Sequence, residues 1–491
     1  MMDGRRKSDR PVVPEKSPNN AAQAVAEEVE GRGLAKGNSH QQTTLRTPSR
    51  EGVQQALMRV RQAAKRDKKM RFTALLHHIY AVDRLRVAYW ELKRDAAAGV
   101  DGETWQHYGQ NLEENIQGLS ERLKQGVYRA KPVRRVFIPK ADGRQRPLGV
   151  TALEDKIVQR ATVEVLNAIY ETDFLGFSYG FRPGRSAHNA LDALYTALVT
   201  RKVSYVLDLD IRGFYDTIDH GWLVKFVEHR IGDRRVVRLI QKWLKADVLD
   251  KGKRIRVEEG TPQGGSISPL LANIYLHYAF DLWIAAWRRK QAHGEVIVVR
   301  YADDIAMGFQ YKAEAERFWK ELVQRLSKFG LELHPEKSRL LEYGRFAAQS
   351  RRRRGQRKPE TFSFLGFVHI CAKKRSNGWF TVLRLTDRRR MQAKLRELKE
   401  ELRRRMHEPI PKVGKWLSAV VRGHFQYYGV PMNRHLSIFR FQVGILWHRA
   451  LSRRSQKGRV SRDRMRRLVD RWLPPARVCH PYPLRRLGVI T

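Results

Sequence analysis

Two adjacent carboxylates, Asp303 and Asp304, stand between two apolar runs. Upstream lies Glu295-Val296-Ile297-Val298-Val299-Arg300, and downstream Ala306-Met307-Gly308-Phe309. Two strand-like runs joined at a pair of acids read as a β-hairpin with carboxylates at its tip. Successive strand residues face opposite ways, so one of the two acids is expected to aim squarely at a given site. A solvated turn is the plain alternative, since Asp is a common turn residue. A further carboxylate elsewhere would favour chemistry, and Ser204-Tyr205-Val206-Leu207-Asp208-Leu209-Asp210-Ile211 supplies it. Here Tyr205, Leu207, Leu209 and Ile211 share one face, and Val206, Asp208 and Asp210 the other. Asp210 ends this strand before Arg212-Gly213-Phe214-Tyr215-Asp216, and an acid there is costly unless it meets a cation or a partner. For Asp208 a salt bridge is the expected partner.

Acids at a strand end and on a hairpin tip suit magnesium, which takes hard oxygen ligands from a few carboxylates and from substrate phosphates. Paired magnesium ions serve nucleotidyl transfer, one activating the attacking 3′-oxygen and the other steadying the departing pyrophosphate. Asp210, Asp303 and Asp304 therefore read as the acids of a polymerase palm.

Other elements must position these acids and meet a substrate. Val133 to Lys140 reads as a strand, Ala141-Asp142-Gly143 as a turn and Arg144 to Gly149 as the returning strand, with Lys140 and Arg146 on its two arms. Cations on a rigid hairpin suit a triphosphate or a nucleic-acid backbone; taken alone, a solvated basic hairpin is the simpler reading. Ser178-Tyr179-Gly180-Phe181-Arg182-Pro183-Gly184-Arg185-Ser186 is a shaped loop with two arginines that could grip phosphates. Gly260-Thr261-Pro262-Gln263-Gly264-Gly265-Ser266-Ile267-Ser268-Pro269 opens a helix near Leu270. Its glycines let backbone approach a ligand closely, and an ordinary helix-entry loop is the equal alternative.

With 491 residues the chain can hold several domains, and its formal charge of +45 points to polyanions, most simply nucleic acid. The most apolar long stretch, Leu270 to Trp287, is interrupted by Asn273, His277 and Asp281, so no membrane anchor is expected. Cys371 and Cys479 form neither a disulfide framework nor a paired-cysteine zinc site. From Cys371 onward the charge steepens, with no acid between Pro409 and Arg462. Met391, Leu395, Leu398, Leu402 and Met406 form the apolar stripe of a helix with a basic outer face, followed by striped helices over Trp416 to Tyr428 and Leu436 to Leu451. So one-sided a balance favours RNA or DNA contact over a merely solvated face.

The motifs occur in a telling order: Ile138-Pro139-Lys140, Arg146-Pro147-Leu148-Gly149, Gly180 to Ser186, Asp210-Ile211-Arg212-Gly213-Phe214, Gly260 to Gly265, Tyr301-Ala302-Asp303-Asp304 and Phe364-Leu365-Gly366-Phe367. This set resembles the bacterial group II intron reverse transcriptases and maturases over about residues 50 to 485. The resemblance implies an α+β chain with a right-hand polymerase fold, fingers and palm, followed by an α-helical thumb and maturase domain. Its segments would be 1–50, disordered and basic; 51–132, a helical extension of the fingers; 133–203, fingers; 204–370, palm with the acidic hairpin; and 371–491, the helical thumb with a basic tail.

The resemblance also assigns roles. Asp210, Asp303 and Asp304 would be catalytic and, with the Ile211 carbonyl, would hold two Mg2+ ions, for which Mn2+ is an admissible substitute; no zinc is implied. Lys140 and Arg146 would hold the triphosphate, and Arg212, Gly213, Phe214, Tyr215 and Gln263 would surround the nucleotide. Tyr215 would reject a 2′-hydroxyl, with Phe214 as the fallback, and Lys337 would donate a proton to pyrophosphate. Arg182 and Pro183 would meet the template, Leu365 and Gly366 the primer end, and Arg403, Arg404 and Arg405 the RNA. The implied partners are group II intron RNA, an RNA template, a DNA primer or target and deoxynucleoside triphosphates. No membrane is implied, homodimerisation is left open, and the implied location is the cytoplasm, at the nucleoid. Lacking paired cysteines, the chain is not expected to carry the zinc-supported endonuclease of larger members. A domesticated relative serving DNA repair or CRISPR adaptation, an RNA chaperone with a decayed polymerase, and a basic structural protein are the rival readings. All three acids stand in place, which disfavours the last two.

Overall fold

The computed structural model describes residues 47–139, 145–454 and 460–486. The segment 1–46 and the hairpin tip with Lys140 lie outside the described residues. The chain opens with helices α1 (Thr47–Arg66), α2 (Leu76–Tyr80), α3 (Val82–Glu91) and α4 (Leu112–Lys124). The first begins before the expected boundary at residue 50, because Pro48 fits the first turn, where its missing N–H would be unpaired in any case. The helical extension expected over 51–132 is interrupted between these helices. At the first break a single side chain clips the chain down: the buried Asp233 carboxylate accepts the amides of Leu75 and Leu76 at 2.8 and 3.0 Å.

The basic hairpin follows as strands β1 (Val133–Pro139) and β2 (Gln145–Val150), with Ile138 opposite Arg146. Helices α5 (Leu153–Asp173) and α6 (Ala187–Thr200) lead into strand β3 (Tyr205–Asp210). Ser186 and Asn189 cap α6 reciprocally, which ends the glycine-rich loop at a fixed point. Helices α7 (His220–Arg230) and α8 (Arg234–Leu244) precede the short strands β4 (Val248–Asp250) and β5 (Lys253–Ile255), which extend the hairpin into the sheet β2-β1-β4-β5.

The long apolar stretch is one helical rod, α9 (Ser268–Leu276) and α10 (Leu282–Lys290), joined by a π-helical turn over His277–Asp281. Strands β6 (Val296–Tyr301) and β7 (Asp304–Phe309), helix α11 (Lys312–Ser327) and strand β8 (Arg339–Glu342) complete an antiparallel sheet of order β6-β7-β3-β8. The alternation read in β3 is real. Leu207, Leu209 and Ile211 face a large core shared with the helices, while Val206 faces a second core with α6.

Strands β9 (Phe362–Phe364), β10 (Phe367–Lys373) and β11 (Phe380–Thr386) form a third sheet. Helices α12 (Arg388–Arg404), α13 (Ile410–Tyr428), α14 (His435–Leu451) and α15 (Arg462–Trp472) close a third apolar core. Met391, Leu398 and Leu402 are buried in it, as the stripe requires. Among the described residues no helix is long and apolar enough to cross a membrane. This is a mixed helix-and-strand chain.

Candidate active site

The two acids sit where strand chemistry ends. Tyr301 pairs with Asp304 to close the β6–β7 hairpin, leaving Ala302 and Asp303 as a two-residue turn. Ala302 has φ of 55°, a left-handed conformation that is strained for a residue with a Cβ. Tertiary contacts hold it there. Arg300, wholly buried, donates through Nε and Nη2 to the Asp281 carboxylate at 2.7 and 2.5 Å. Its Nη1 donates to Asn273 Oδ1 at 3.0 Å and to the Ala302 carbonyl at 3.1 Å. Asn273 in turn donates to the Gly180 carbonyl at 2.7 Å. Gly180 lies so close to the turn that a Cβ there would stand 2.3 Å from the Ala302 nitrogen. Two of the three polar residues that interrupt the long apolar helix, Asn273 and Asp281, are therefore props of the acidic turn.

Across the sheet Asp210 stands directly opposite Asp304. Like charges facing each other across neighbouring strands destabilise a sheet, and the site compensates with cations. Lys337 Nζ lies 3.1 Å from Asp210 Oδ2. Burial, and then the charge of Asp303, push the Asp304 carboxyl up to about 7. Asp304 is exposed on one side, so water blunts the effect of burial, and the Arg390 charge opposes the shift. Burial raises Asp303 as well, with Asp210 adding to the shift and Arg146 opposing it. Asp303 stands on the turn and Asp304 at the start of β7, and the charge of Asp210 raises both. Asp208 has its salt bridge, with Arg339 at 3.6 Å.

Between the Arg146 hairpin and the turn after Asp210, backbone is strapped together at glycines. The Gly149 amide of β2 donates to the Gln263 carbonyl at 2.6 Å, and the Thr261 amide to the Tyr215 carbonyl at 2.7 Å. A Cβ on Gly260 would meet the Asp216 carbonyl oxygen at 2.8 Å, and one on Gly264 the Gly149 oxygen at 2.6 Å. The Gly260–Gly265 loop thus bridges the Arg146 hairpin and the Tyr215 turn. Phe214 is packed in the main core, whereas Tyr215 is half-buried at its edge. Leu365 and Gly366, with φ of 48° and 81°, form the tight turn of the β9–β10 hairpin. Tyr427 donates its hydroxyl to the Leu365 carbonyl at 2.9 Å, and a Cβ on Gly366 would stand 3.2 Å from Arg390 Nη1.

Residues 138–369 match the family described as reverse transcriptase (RNA-dependent DNA polymerase). The chain is 38% identical over 207 residues to the group II intron-encoded protein LtrA of Lactococcus lactis subsp. cremoris, covering 42% of this chain and 34% of that protein. Residues 138–369 form a reverse transcriptase domain, similar to that of group II intron-encoded proteins. The chain is also 37% identical over 252 residues to protein YkfC of Escherichia coli (strain K12), covering 45% of this chain and 66% of that protein. To nuclear intron maturase 2, mitochondrial, of Arabidopsis thaliana it is 30% identical over 116 residues, covering 22% of this chain and 14% of that protein. The matched stretch spans less than two thirds of the length of these curated relatives.

The donor set of this reverse transcriptase domain suits a divalent cation. Among the described residues no three His, Cys, Asp or Glu side chains form a ready-made cage; magnesium is usually held by one or two carboxylates with substrate phosphates. Ile211 adds a carbonyl. It pairs with Leu333 through bonds made by its neighbours, His334 N–H to the Asp210 carbonyl and Arg212 N–H to the Glu332 carbonyl, both 2.8 Å. Its own carbonyl therefore points to the opposite side of β3, where β7 and its turn lie.

Some expected contacts need correction. Arg182 is buried, with its guanidinium donating to Glu171 and to the carbonyls of Leu175 and Ser178 at 2.7 to 3.1 Å. It is buried in bracing the loop and does not present its charge to solvent, whereas Pro183 beside it is exposed. Arg405 is clamped by Glu401 at 2.9 Å and Glu408 at 3.6 Å, with its guanidinium over Trp416. Arg404 pairs with Glu401 at 3.3 Å, and Arg403 faces solvent. Arg212 pairs with Glu332 at the surface, at 3.4 Å. Sequence reasoning missed Arg300, Asp281, Asn273 and Gly180. The available signal was two polar residues spaced about two helical turns apart within an otherwise apolar run.

Proposed function

We propose that this chain is an RNA-directed DNA polymerase that also binds a group II intron RNA, assists its splicing and copies it during retrohoming. The observation that carries the chemistry is the register: Asp210 directly opposite Asp304, with Asp303 on the turn between strands. On this reading 133–203 are fingers, 204–370 palm and 371–491 the thumb and maturase domain. Two Mg2+ ions held by Asp210, Asp303, Asp304 and the Ile211 carbonyl would supply activation of the 3′-oxygen and charge neutralisation at the phosphates.

The protein's own residues orient the substrates. Arg146, with Lys140, holds the triphosphate; Gln263 and the Tyr215 turn, strapped together by backbone bonds, shape the nucleotide's bed. Arg212 and Gly213 flank that turn. Tyr215 is the half-buried, more accessible aromatic of the pair and takes the role of sugar gate; Phe214 supports it from the core. Leu365 and Gly366 seat the primer end. Lys337, paired with Asp210 in the free protein, exchanges that partner for the leaving pyrophosphate and protonates it.

The splicing half rests on kinship with intron-encoded and maturase proteins and on the basic helices after Cys371. The test is extension of a DNA primer on an RNA template with deoxynucleotides and magnesium, together with splicing of the adjacent intron RNA at low magnesium. Asp303→Asn is expected to cut extension at least about a hundredfold, the scale of losing a key electrostatic stabiliser, and to leave RNA binding and splicing nearly intact. Near-normal extension by this variant would overturn the assignment of the acids.

A further inference from the structure

We propose that the tip of the β10–β11 hairpin is a stacking finger for an unpaired base of RNA, outside the polymerisation site. Lys373 pairs with Phe380, and the residues between form a closed loop. The Lys374 amide donates to the Trp379 carbonyl at 2.7 Å and the Gly378 amide to the Lys374 carbonyl at 2.9 Å. Asn377 Oδ1 accepts the Trp379 amide at 3.1 Å, and Gly378 takes a left-handed φ of 70° that its lack of a Cβ permits. The loop is therefore held in one shape, and that shape leaves Trp379 64% exposed.

A large aromatic held in water on a shaped turn costs solvation and gives the fold nothing. Its surroundings indicate the partner. Lys373 and Arg375 are exposed beside it and Lys374 is half-buried, and no Asp or Glu occurs from Cys371 through Thr386. Cations without acids favour a polyanion over a protein surface, and a rigid aromatic face between cations is the arrangement that stacks single-stranded bases. Paired bases in an A-form helix already stack on one another, so the fitting target is a loop, bulge or single strand. The site is remote from the chemistry. Strand β10 carries seven residues between the Leu365–Gly366 turn and the tip, which at about 3.3 Å each is a separation of about 20 Å. A short primed template would not need this contact; a folded RNA would. The inference rests on RNA being the partner in the function proposed above and adds to it a site and a preference for unpaired nucleotides.

The test uses the full chain and two labelled RNAs, a stem closed by an unpaired adenosine loop and the same stem as a blunt duplex. Binding is read by fluorescence anisotropy across a salt series, beside extension of a short primed template. Trp379→Ala is expected to weaken looped-RNA binding about tenfold, within the range for one stacked base, and to leave blunt-duplex binding and extension unchanged. Trp379→Phe should keep most of the affinity, and Trp379→Leu, which retains bulk without an aromatic face, should not. Replacing Lys373, Lys374 and Arg375 together with Gln should weaken both RNAs and flatten the salt dependence by about two to three units of slope. Equal binding of looped RNA by wild type and Trp379→Ala, or equal losses on loop and duplex, would overturn the finger while leaving polymerase activity standing. A wild type that extends the primer but binds neither RNA would overturn the finger and the intron-binding half together. Absence of extension alone would count against the polymerase reading only.

Discussion

Asp303 and Asp304 stand on a turn propped by a buried arginine, whereas Arg403 and Arg404 stand on a helix whose buried side is Met391, Leu398 and Leu402. Both regions are strongly charged, but the chain spends different resources on them. Beneath the acids lies an ion pair with no solvent exposure on either partner, Arg300 with Asp281. Such a pair is weak as a source of stability, because desolvation cancels much of the attraction. Its geometric effect is strong, since breaking it strands a buried charge. Chemistry needs carboxylates fixed to within fractions of an ångström, and a stiff buried network provides that. Contact with a folded polyanion needs only cations facing water, and an amphipathic helix provides that with no polar core.

The sharpest way to break this contrast is to remove the prop. Asp281→Ala leaves Arg300 buried without its carboxylate and is expected to cost about 3–5 kcal/mol of stability, with primer extension largely lost. Thermal unfolding and single-turnover extension measure the two effects. If the protein keeps its stability and its rate, the turn is not held from below. Gly180→Ala acts on the same turn from the other side. Its Cβ would press on the Ala302 backbone, and overpacking of this kind costs about 1–3 kcal/mol. Extension should fall several-fold beyond what the loss of folded protein explains, as an activity assay normalised to folded protein would reveal.

Neighbouring aromatics allow a finer test. Tyr215→Ala is expected to admit ribonucleotides while sparing deoxynucleotide use, whereas Phe214→Ala should chiefly lower stability, by about 3–5 kcal/mol for a buried ring. Extension assays with each nucleotide set, beside melting curves, separate the two; unchanged sugar discrimination by Tyr215→Ala would move the gate elsewhere. The smallest expected effect lies on the basic helix. Arg403→Gln with Arg404→Gln should flatten the salt dependence of RNA binding by about 1.5–2 units of slope, roughly one per phosphate contact. Arg405→Gln, whose charge is already taken by Glu401 and Glu408, should leave that slope unchanged. Equal effects from the two variants would erase the distinction between solvent-facing and clamped arginines.

Much of the site was legible in the chain itself. The period-two alternation of Tyr205 to Ile211 assigned the strand's faces, and the β-branched run before Tyr301 located the hairpin. Spacing also marked the Gly260–Gly265 loop as a place of close approach, because glycine clusters of that kind have few other uses. These are local properties: side-chain alternation and backbone permissiveness depend on a residue and its near neighbours in sequence. The pairing of Asp210 with Asp304 is different in kind, for it joins strands about ninety residues apart and their register follows from which faces are buried. The fates of the arginines were illegible for the same reason. Arg182, Arg300 and Arg405 look in sequence like any cation available to nucleic acid, and only the fold brings up Glu171, Asp281 and Glu401 to claim them. Composition pointed to a polyanion as partner, and local pattern determined where the acids lie. Tertiary structure alone decided which charges are held for chemistry, which brace the fold and which face the solvent, because a charge's role depends on the partners that distant segments bring to it.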